Sequence, residues 1–374
     1  MWRVCRIDDL GEINRGKSKH RPRNDARLFG GKYPFIQTGD VKIANLYINE
    51  YDTTYSEFGL AQSKLWPKDT LCITIAANIA ESAILGIDAC FPDSVVGFVP
   101  KKNKADLKFV KYLLDEFKVY MQQISKGTTQ DNLSLDKLRR VKFYAPDYDT
   151  QVKIAKVISV YDDLIENNNR RIKILEKMAE NLYKEWFVRF RFPGYEQAEF
   201  ENGIPKGWKA CKLREIIRIR YGKEHKDLED GTIPVFGSGG VMRYGNRALY
   251  SGETVMIPRK GSLHNVTYYK GDLWTVDTMF YTEFKVPTCA SYLYFTLSQF
   301  DLESLNKGAS IPSLSTDILY NLKIVLPPQW LLTQFQQMID VLNAQTEKLT
   351  QQNHNLTKQR DMLLPRLMSG KLEV

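Results

Sequence analysis

Along residues 154–186, apolar side chains recur at alternating spacings of four and three. The positions are Ile154, Ile158, Tyr161, Ile165, Asn168, Ile172, Leu175, Ala179, Leu182 and Trp186, nine of them apolar or aromatic. Between them lie Asp162, Asp163, Glu166, Arg170, Arg171, Lys173, Glu176, Lys177, Glu180 and Lys184, which assigns the charged residues to a solvated face. This is the heptad pattern of a supercoiled helix. The same seam recurs 181 residues later at Phe335, Ile339, Leu342, Thr346, Leu349, Asn353, Leu356, Arg360, Leu363 and Leu367. A helix apolar on one stripe must bury it, and each of these helices is the other's simplest partner. The order domain, helix, domain, helix makes the pair antiparallel. At ~1.5 Å per residue a helix of about 40 residues spans ~60 Å, enough to hold two domains apart. Matching Asn168 with Asn353 keeps paired numbers at a constant sum. It then sets Ile154 by Leu367, Ile158 by Leu363, Leu182 by Ile339 and Trp186 by Phe335. Two buried amides that meet fix helix register at some cost in stability.

The residues before the first helix alternate short β-rich runs (34–36, 71–75, 94–99) with Gly, Pro, Asn and Asp, then show one helical stretch at 107–124 and a strand near 141–143. The helix expected at 148–192 follows. After Arg191-Phe192-Pro193-Gly194 and a polar linker, the domain repeats. Trp2-Arg3-Val4-Cys5-Arg6-Ile7 aligns with Trp208-Lys209-Ala210-Cys211-Lys212-Leu213, and Gly16-Lys17 with Gly222-Lys223, at an offset of 206. By Gly127 and Gly308, Leu133 and Leu314, Pro146 and Pro327, the offset is 181. The second domain is therefore shorter in its middle, while its ends are kept. The expected plan is α+β: domains at 1–147 and 193–327, long helices at 148–192 and within 328–374, and an internal pseudo-twofold relating 124–186 to 305–367.

Composition narrows the chemistry. Apolar content of 43% and charged content of 26% suit a globular protein, and the net charge of +9 permits nucleic-acid binding without requiring it. The five cysteines are scattered and form no CxxC pair, so neither a zinc ribbon nor a disulfide framework is suggested. The first residues lack the apolar core of a secretory signal, and no apolar run is long enough to span a membrane, so a cytoplasmic protein without membrane contact is expected.

Gly11-Glu12-Ile13-Asn14-Arg15-Gly16-Lys17-Ser18 fits the phosphate-loop expression GxxxxGK[ST]. That motif needs a buried strand before it and a helix after it. Cys5-Arg6-Ile7-Asp8-Asp9 is a poor buried strand and Pro22 disfavours a helix, so nucleotide binding is not supported. The same stretch reads better as a basic loop, with Arg15, Lys17, Lys19, His20, Arg21 and Arg23. Lys126, Thr128, Thr129 and Gln130 extend this set. The second domain offers Lys223, His225, Lys226, Arg259, Lys260, Ser262, His264 and Asn265, then Lys307 and Ser310. Phosphates attract Lys and Arg, and base edges attract Arg, Asn, Gln, Ser and Thr. Two separated basic, amide-bearing surfaces suit two DNA half-sites. No HExxH, Gly-rich cofactor loop or Asp/Asn-Pro-Pro-aromatic motif is present, so neither catalytic residues nor metal ligands are assigned.

Taken together the chain resembles the specificity (S) subunit of a type I restriction–modification system. The resemblance rests on the duplicated plan, on Gly203-Ile204-Pro205-Lys206-Gly207-Trp208, on Trp186-Phe187-Val188-Arg189-Phe190, and on the Gly-(Thr/Ala)-x-x-x-x-Leu loops at Gly127 and Gly308. Pro327-Pro328 before the second helix and the ending Leu363-Leu364-Pro365-Arg366-Leu367-Met368-Ser369-Gly370-Lys371-Leu372 complete it. It implies two target-recognition domains separated by an antiparallel coiled-coil helix pair, each domain reading one half of a bipartite double-stranded DNA site. The pair would then act as a ruler between half-sites. The resemblance further implies two methyltransferase subunits that use S-adenosylmethionine, and restriction subunits that use ATP and Mg, with no cofactor in this chain. One departure is visible. The family often has Glu-Gln after the Pro-rich turn; Gln151 keeps the Gln, but the second copy has Leu332 at the 181 offset and Gln334 nearby. The rival reading is a bivalent coiled-coil scaffold without sequence-specific DNA binding.

Overall fold

The computed structural model describes residues 2–126, 132–305 and 313–374. The chain forms two compact units, Met1–Arg170 with Leu349–Val374, and Arg171–Lys348. The strands of the first unit's frame are β1 (Arg3–Cys5), β2 (Gly11–Arg15), β3 (Tyr47–Ile48), β4 (Leu71–Thr74), β5 (Ser82–Leu85), β6 (Val95–Pro100) and β7 (Phe143–Ala145). Those of the second are β8 (Lys209–Lys212), β9 (Ile217–Tyr221), β10 (Asp230–Gly237), β11 (Gly240–Gly245), β12 (Tyr250–Pro258), β13 (Thr267–Thr275), β14 (Met279–Phe284) and β15 (Lys323–Leu326).

The first unit's main sheet runs β2-β6-β4-β5-β3, antiparallel except for the parallel β5–β3 edge. The second runs β9-β14-β12-β13-β10-β11, parallel only between β13 and β10, with β11 added as a hairpin partner. Each unit also closes its chain ends into a two-stranded ribbon. Arg3 pairs with Ala145 and Cys5 with Phe143; Lys209 pairs with Leu326 and Cys211 with Ile324. The partners on β1 and β8 differ by the sequence offset of 206, and those on β7 and β15 by 181. After β1 and β8 comes a single helical turn with the same cap. Asp9 accepts from the Arg6 amide at 2.8 Å and Glu215 from the Lys212 amide at 2.9 Å.

β4 and β5 are buried along their whole length, so they read as continuous apolar runs rather than alternating ones. The helix α1 (Leu107–Glu116) covers them, sharing a core of Leu71, Ile73, Val96, Phe98, Phe109 and Leu113. The single helix expected at 107–124 is in fact two. It breaks at Phe117, and in the second piece, Lys118–Ser125, Tyr120 is exposed.

Two long helices, α2 (Tyr148–Tyr183) and α4 (Gln329–Met368), each contribute to both units, with α3 (Ala290–Ser298) preceding α4. α2 passes into a π-turn over Lys184–Val188, short of the expected 192. In the first unit, Ile154 and Ile158 of α2 share the core with Leu364 and Leu367 of α4. Farther along, Asn168 Nδ2 donates to Asn353 Oδ1 at 2.9 Å and to Gln352 Oε1 at 3.2 Å, and Asn353 Nδ2 donates to Asn169 Oδ1 at 2.8 Å. Numbers rise on one helix as they fall on the other, so these segments are antiparallel. In the second unit the Trp186 and Phe335 rings lie 5.9 Å apart, in a cluster with Ala179, Leu182, Phe187, Tyr292 and Ile339. Replacing Asn168 and Asn353 together by Leu is expected to raise the denaturation midpoint, because buried amides stabilise less than apolar seam residues. Asn168→Leu alone should lower it, with a loss of about 1 kcal/mol of stability, by leaving Asn353 short of a donor.

Asp162, assigned by the heptad pattern to the solvated face, is 2% exposed. It accepts from Tyr112 Oη of α1 at 2.5 Å and from the Arg360 guanidinium of α4 at 2.6 Å. Burial, and after it the Asp162 charge, pushes the Tyr112 hydroxyl well above its ordinary range. In the second unit an uncharged tie joins α2 to α3, from Tyr183 Oη to Thr296 Oγ1 at 3.1 Å.

A glutamine anchors each long helix to the start of the helix covering the sheet. Gln151, fully buried, accepts from the Asp106 amide at 3.1 Å and donates to the carbonyls of Lys104 and Pro146. In the second unit Gln336 does this, accepting from the Ser291 amide at 3.1 Å. It stands one helical turn beyond Leu332, the position at the 181 offset, which is itself wholly buried.

Candidate nucleic-acid interface

The paired Gly-Lys steps are built alike. Gly16 N donates to Val95 O at 2.9 Å and Lys17 N to Phe91 O at 3.2 Å; Gly222 N donates to Met279 O at 3.0 Å and Lys223 N to Thr275 O at 2.9 Å. A Cβ on Gly16 would lie 2.3 Å from Pro92 O, and one on Gly222 2.0 Å from Val276 O. Glycine is required here by close approach of backbones, not by phosphate. The phosphate-loop look-alike is accounted for in the same way, since its residues 11–15 form strand β2. Gly222→Ala is expected to destabilise the second unit by about 1–3 kcal/mol, measured by chemical denaturation, because the obstructing atoms are backbone and cannot rotate away.

In the first unit Arg15, Lys17 and Lys19 are exposed and have no ion-pair partner among the described residues. Their neighbours are occupied internally. His20 meets Asp25 at 2.8 Å and sits edge-on to Phe58, Arg21 donates to the carbonyls of Ser18 and His20, and Arg23 grips both oxygens of Asp93 at 2.8 Å. Asp25 is held far below the usual carboxylate range by Arg27, and after it by His20. Arg27 was not among the candidates from sequence, and it shows that part of this loop's charge holds the loop's own shape. Lys126 is exposed. Thr128, Thr129, Gln130, Lys307 and Ser310 lie outside the described residues, as do Gly127 and Gly308.

In the second unit, the turn between β13 and β14 gathers three cations. Lys223 bonds to Thr275, while the Arg259 and Lys260 amides both donate to Thr278 O, at 2.8 and 3.3 Å. The Arg259 guanidinium lies 5.4 Å from the centre of the half-exposed Tyr221 ring. A further cation absent from the sequence candidates, Arg247, lies 5.4 Å from the centre of the Trp274 ring. Its signal, a lone Arg in a polar turn, is too weak to read without the strand that presents Trp274. Other candidates are engaged elsewhere. His264 faces Glu303 at 3.4 Å, Lys226 pairs with Glu224 at 3.6 Å, and the Glu224 carboxylate accepts from the His225 amide at 2.8 Å. Ser262 is exposed. Asn265 donates its side-chain amide to Ser238 O at 2.8 Å.

The strand registers show where the two units part. Val96 pairs with Ile73 and Phe280 with Ile257, so the central strands correspond at an offset of 184. Arg259 and Lys260 therefore stand where the first unit has Ile75 and Ala76. Both frames carry an exposed lysine at the Gly-Lys step, Lys17 and Lys223; the first unit adds Arg15 and Lys19 beside it, whereas the second adds Arg259, which donates to Asp277 O at 3.3 Å, and Lys260 beyond its central strand.

No group of three or more His, Cys, Asp or Glu side chains among the described residues could hold a metal ion, and all five cysteines are buried and free. No helix among them is long and apolar enough to cross a membrane.

A family model described as the type I restriction modification DNA specificity domain matches residues 1–177 and again 205–358. The MjaIX type I restriction enzyme specificity subunit of Methanocaldococcus jannaschii is 28% identical over 419 aligned residues, covering 100% of this chain and 94% of that one. The HindI specificity subunit of Haemophilus influenzae is 23% identical, covering 97% and 98%. Among solved structures, the S subunit of a type I restriction–modification system from M. genitalium superposes with a TM-score of 0.62 over 98% of this chain and 96% of that one. At 19% identity that likeness speaks for the fold alone. With the family model matching twice, once over most of each half, the chain belongs to the type I restriction–modification DNA specificity family and is a specificity subunit.

Proposed function

We propose that this chain reads a bipartite double-stranded DNA target, with residues 1–147 and 193–327 each recognising one half-site. In the same reading it docks two methyltransferase subunits and the restriction subunits. Specificity subunits of type I systems are non-catalytic, so methyl transfer from S-adenosylmethionine and ATP- and Mg-dependent work fall to those partners. The observation that carries the proposal is one strand frame built twice, with a lysine at the shared Gly-Lys step and the further cations around it placed differently in the two units. Two readers of two different half-sites need that combination. The frame holds the surface at a set place, and loop side chains vary the base contacts without disturbing the core.

The chain purified with its methyltransferase subunit is expected to retard a subset of random duplexes, with affinity falling steeply as salt rises. Six to ten phosphate contacts correspond to a loss of about 10³–10⁵ between 50 and 200 mM salt. A bivalent scaffold would show neither the selection nor the steep salt dependence.

A further inference from the structure

We infer that each unit grips the DNA backbone through one shared, sequence-independent constellation, Lys17 with Thr38 in the first unit and Lys223 with Ser238 in the second. This rests on the DNA-reading function proposed above and says which residues anchor rather than read.

The correspondence comes from strand pairing. Phe35 bridges Cys90 in parallel and Ile36 N donates to Cys90 O at 2.8 Å. Val235 pairs with Trp274 in parallel and Val276 N donates to Phe236 O at 2.9 Å. Cys90 and Trp274 are separated by the same 184 residues as the central strands, so Phe35-Ile36 and Val235-Phe236 are equivalent. The residues that come next leave these equivalent strands, Gln37-Thr38-Gly39-Asp40 as the start of a short helix (Thr38–Ile43) and Gly237-Ser238-Gly239-Gly240 as the hairpin turn into β11.

Four features recur there. Thr38 and Ser238 are half-buried while the next glycine is exposed. A Cβ on Gly39 or on Gly239 would meet nothing within 4 Å, so each backbone faces open space. An asparagine from the loop beyond the central strand holds the hydroxyl residue's carbonyl: Asn78 Nδ2 to Thr38 O at 3.4 Å, and Asn265 Nδ2 to Ser238 O at 2.8 Å. Finally, the same short extended segment carries the Gly-Lys step on its opposite edge, through Phe91 O in one unit and Thr275 O in the other. Among the described residues neither ammonium and neither hydroxyl has a protein partner. Asn265, a base-reading candidate on sequence alone, becomes a positioning residue.

Features common to both units cannot distinguish two different half-sites, whereas features that differ can. An ammonium and a hydroxyl carried on the two edges of one extended segment suit phosphate oxygens, which every nucleotide presents. The residues left to discriminate are those without a counterpart, such as Arg259 and Lys260 in the second unit.

The test uses the full chain in complex with its methyltransferase subunit, carrying Lys17→Ala with Thr38→Val, or Lys223→Ala with Ser238→Ala. Binding is followed by fluorescence anisotropy across a salt series, on a duplex bearing the methylated site and on an unrelated one. Both duplexes should weaken by the same factor, the slope of log K against log salt should fall by about one per lysine, and the methylated motif should be unchanged. Lys17→Arg and Lys223→Arg should keep the slope, separating charge from folding. An altered base preference in either half, or unchanged affinity and slope in a wild type that binds DNA, overturns the inference. A wild-type complex without salt-sensitive, sequence-selective binding fails earlier, at the DNA-reading function, and takes the inference with it.

Discussion

Replacing residues 1–145 with the equivalent domain of another specificity subunit is expected to change one half of the methylated site and leave the other as it was. The junction is set by the fold. Both strands of the Arg3–Cys5 and Phe143–Ala145 ribbon lie inside the exchanged segment, so its closure travels with the donor. What stays behind is the face of the long helices on which the domain sits. Ile154 and Ile158 of α2 and Leu364 and Leu367 of α4 must find apolar partners like Phe109, Leu113 and Phe143, and Gln151 must find a free amide at the start of the covering helix. A donor that meets these two conditions should dock. Specific binding exceeds non-specific binding by about 10³–10⁷-fold in DNA-reading proteins. The exchanged half should therefore lose its old preference almost completely. Sequencing the methylated bases of a host expressing the chimera reads both halves at once, and a change in both would refute independent reading.

Asp162→Ala is expected to destabilise the first unit by about 3 kcal/mol, the low end of the cost of removing one partner from a buried ion pair. The substitution strips the Arg360 guanidinium, whose side chain is 20% exposed, of its strongest partner and leaves the Tyr112 hydroxyl without an acceptor. Arg360 keeps Asp361 at 2.8 Å and Asn45 at 3.3 Å, which holds the loss below the upper end of the range. The double change Asp162→Leu with Arg360→Met should recover most of the stability, since no buried charge is then left unpaired. Urea denaturation of the wild type and the two variants measures this. Equal midpoints for Asp162→Ala and the wild type would mean that the pair contributes nothing to the fold.

Local periodicity was enough for the long helices. Their apolar positions repeat every three and four residues, and a stripe so narrow has few ways to be buried. The duplication was legible at the domain ends for a similar reason. Each closing ribbon turns one side to the core, where β1 and β8 bury Cys5 and Cys211, and β7 and β15 follow the same 181 residues that relate the helices. The helical break at Phe117 was not legible, because the apolar spacing continues through it. Only packing decides which turn leaves the core.

The clusters of basic residues could be read from the sequence, but not the use of each charge. Arg21, Arg23 and His20 look like Lys17 and Lys19 in sequence, yet the partners of the two arginines, Asp93 and the carbonyls of Ser18 and His20, are in reach only once the loop is folded. Asp162 lay on the face that the heptad assigns to solvent. It is buried because a domain packs over that face, and a helical period reports only the partner helix. Thr38-Gly39 and Ser238-Gly239 were invisible for the opposite reason. The 206 and 181 offsets bracket them, but insertions between shift the local correspondence, and the strand pairs Phe35–Cys90 and Val235–Trp274 were needed to align them. The sequence by itself thus determined what repeats within one element, the helical seam and the domain order. The tertiary structure decided which charges remain free to meet a ligand and which loops share a place, because both depend on partners distant in the chain.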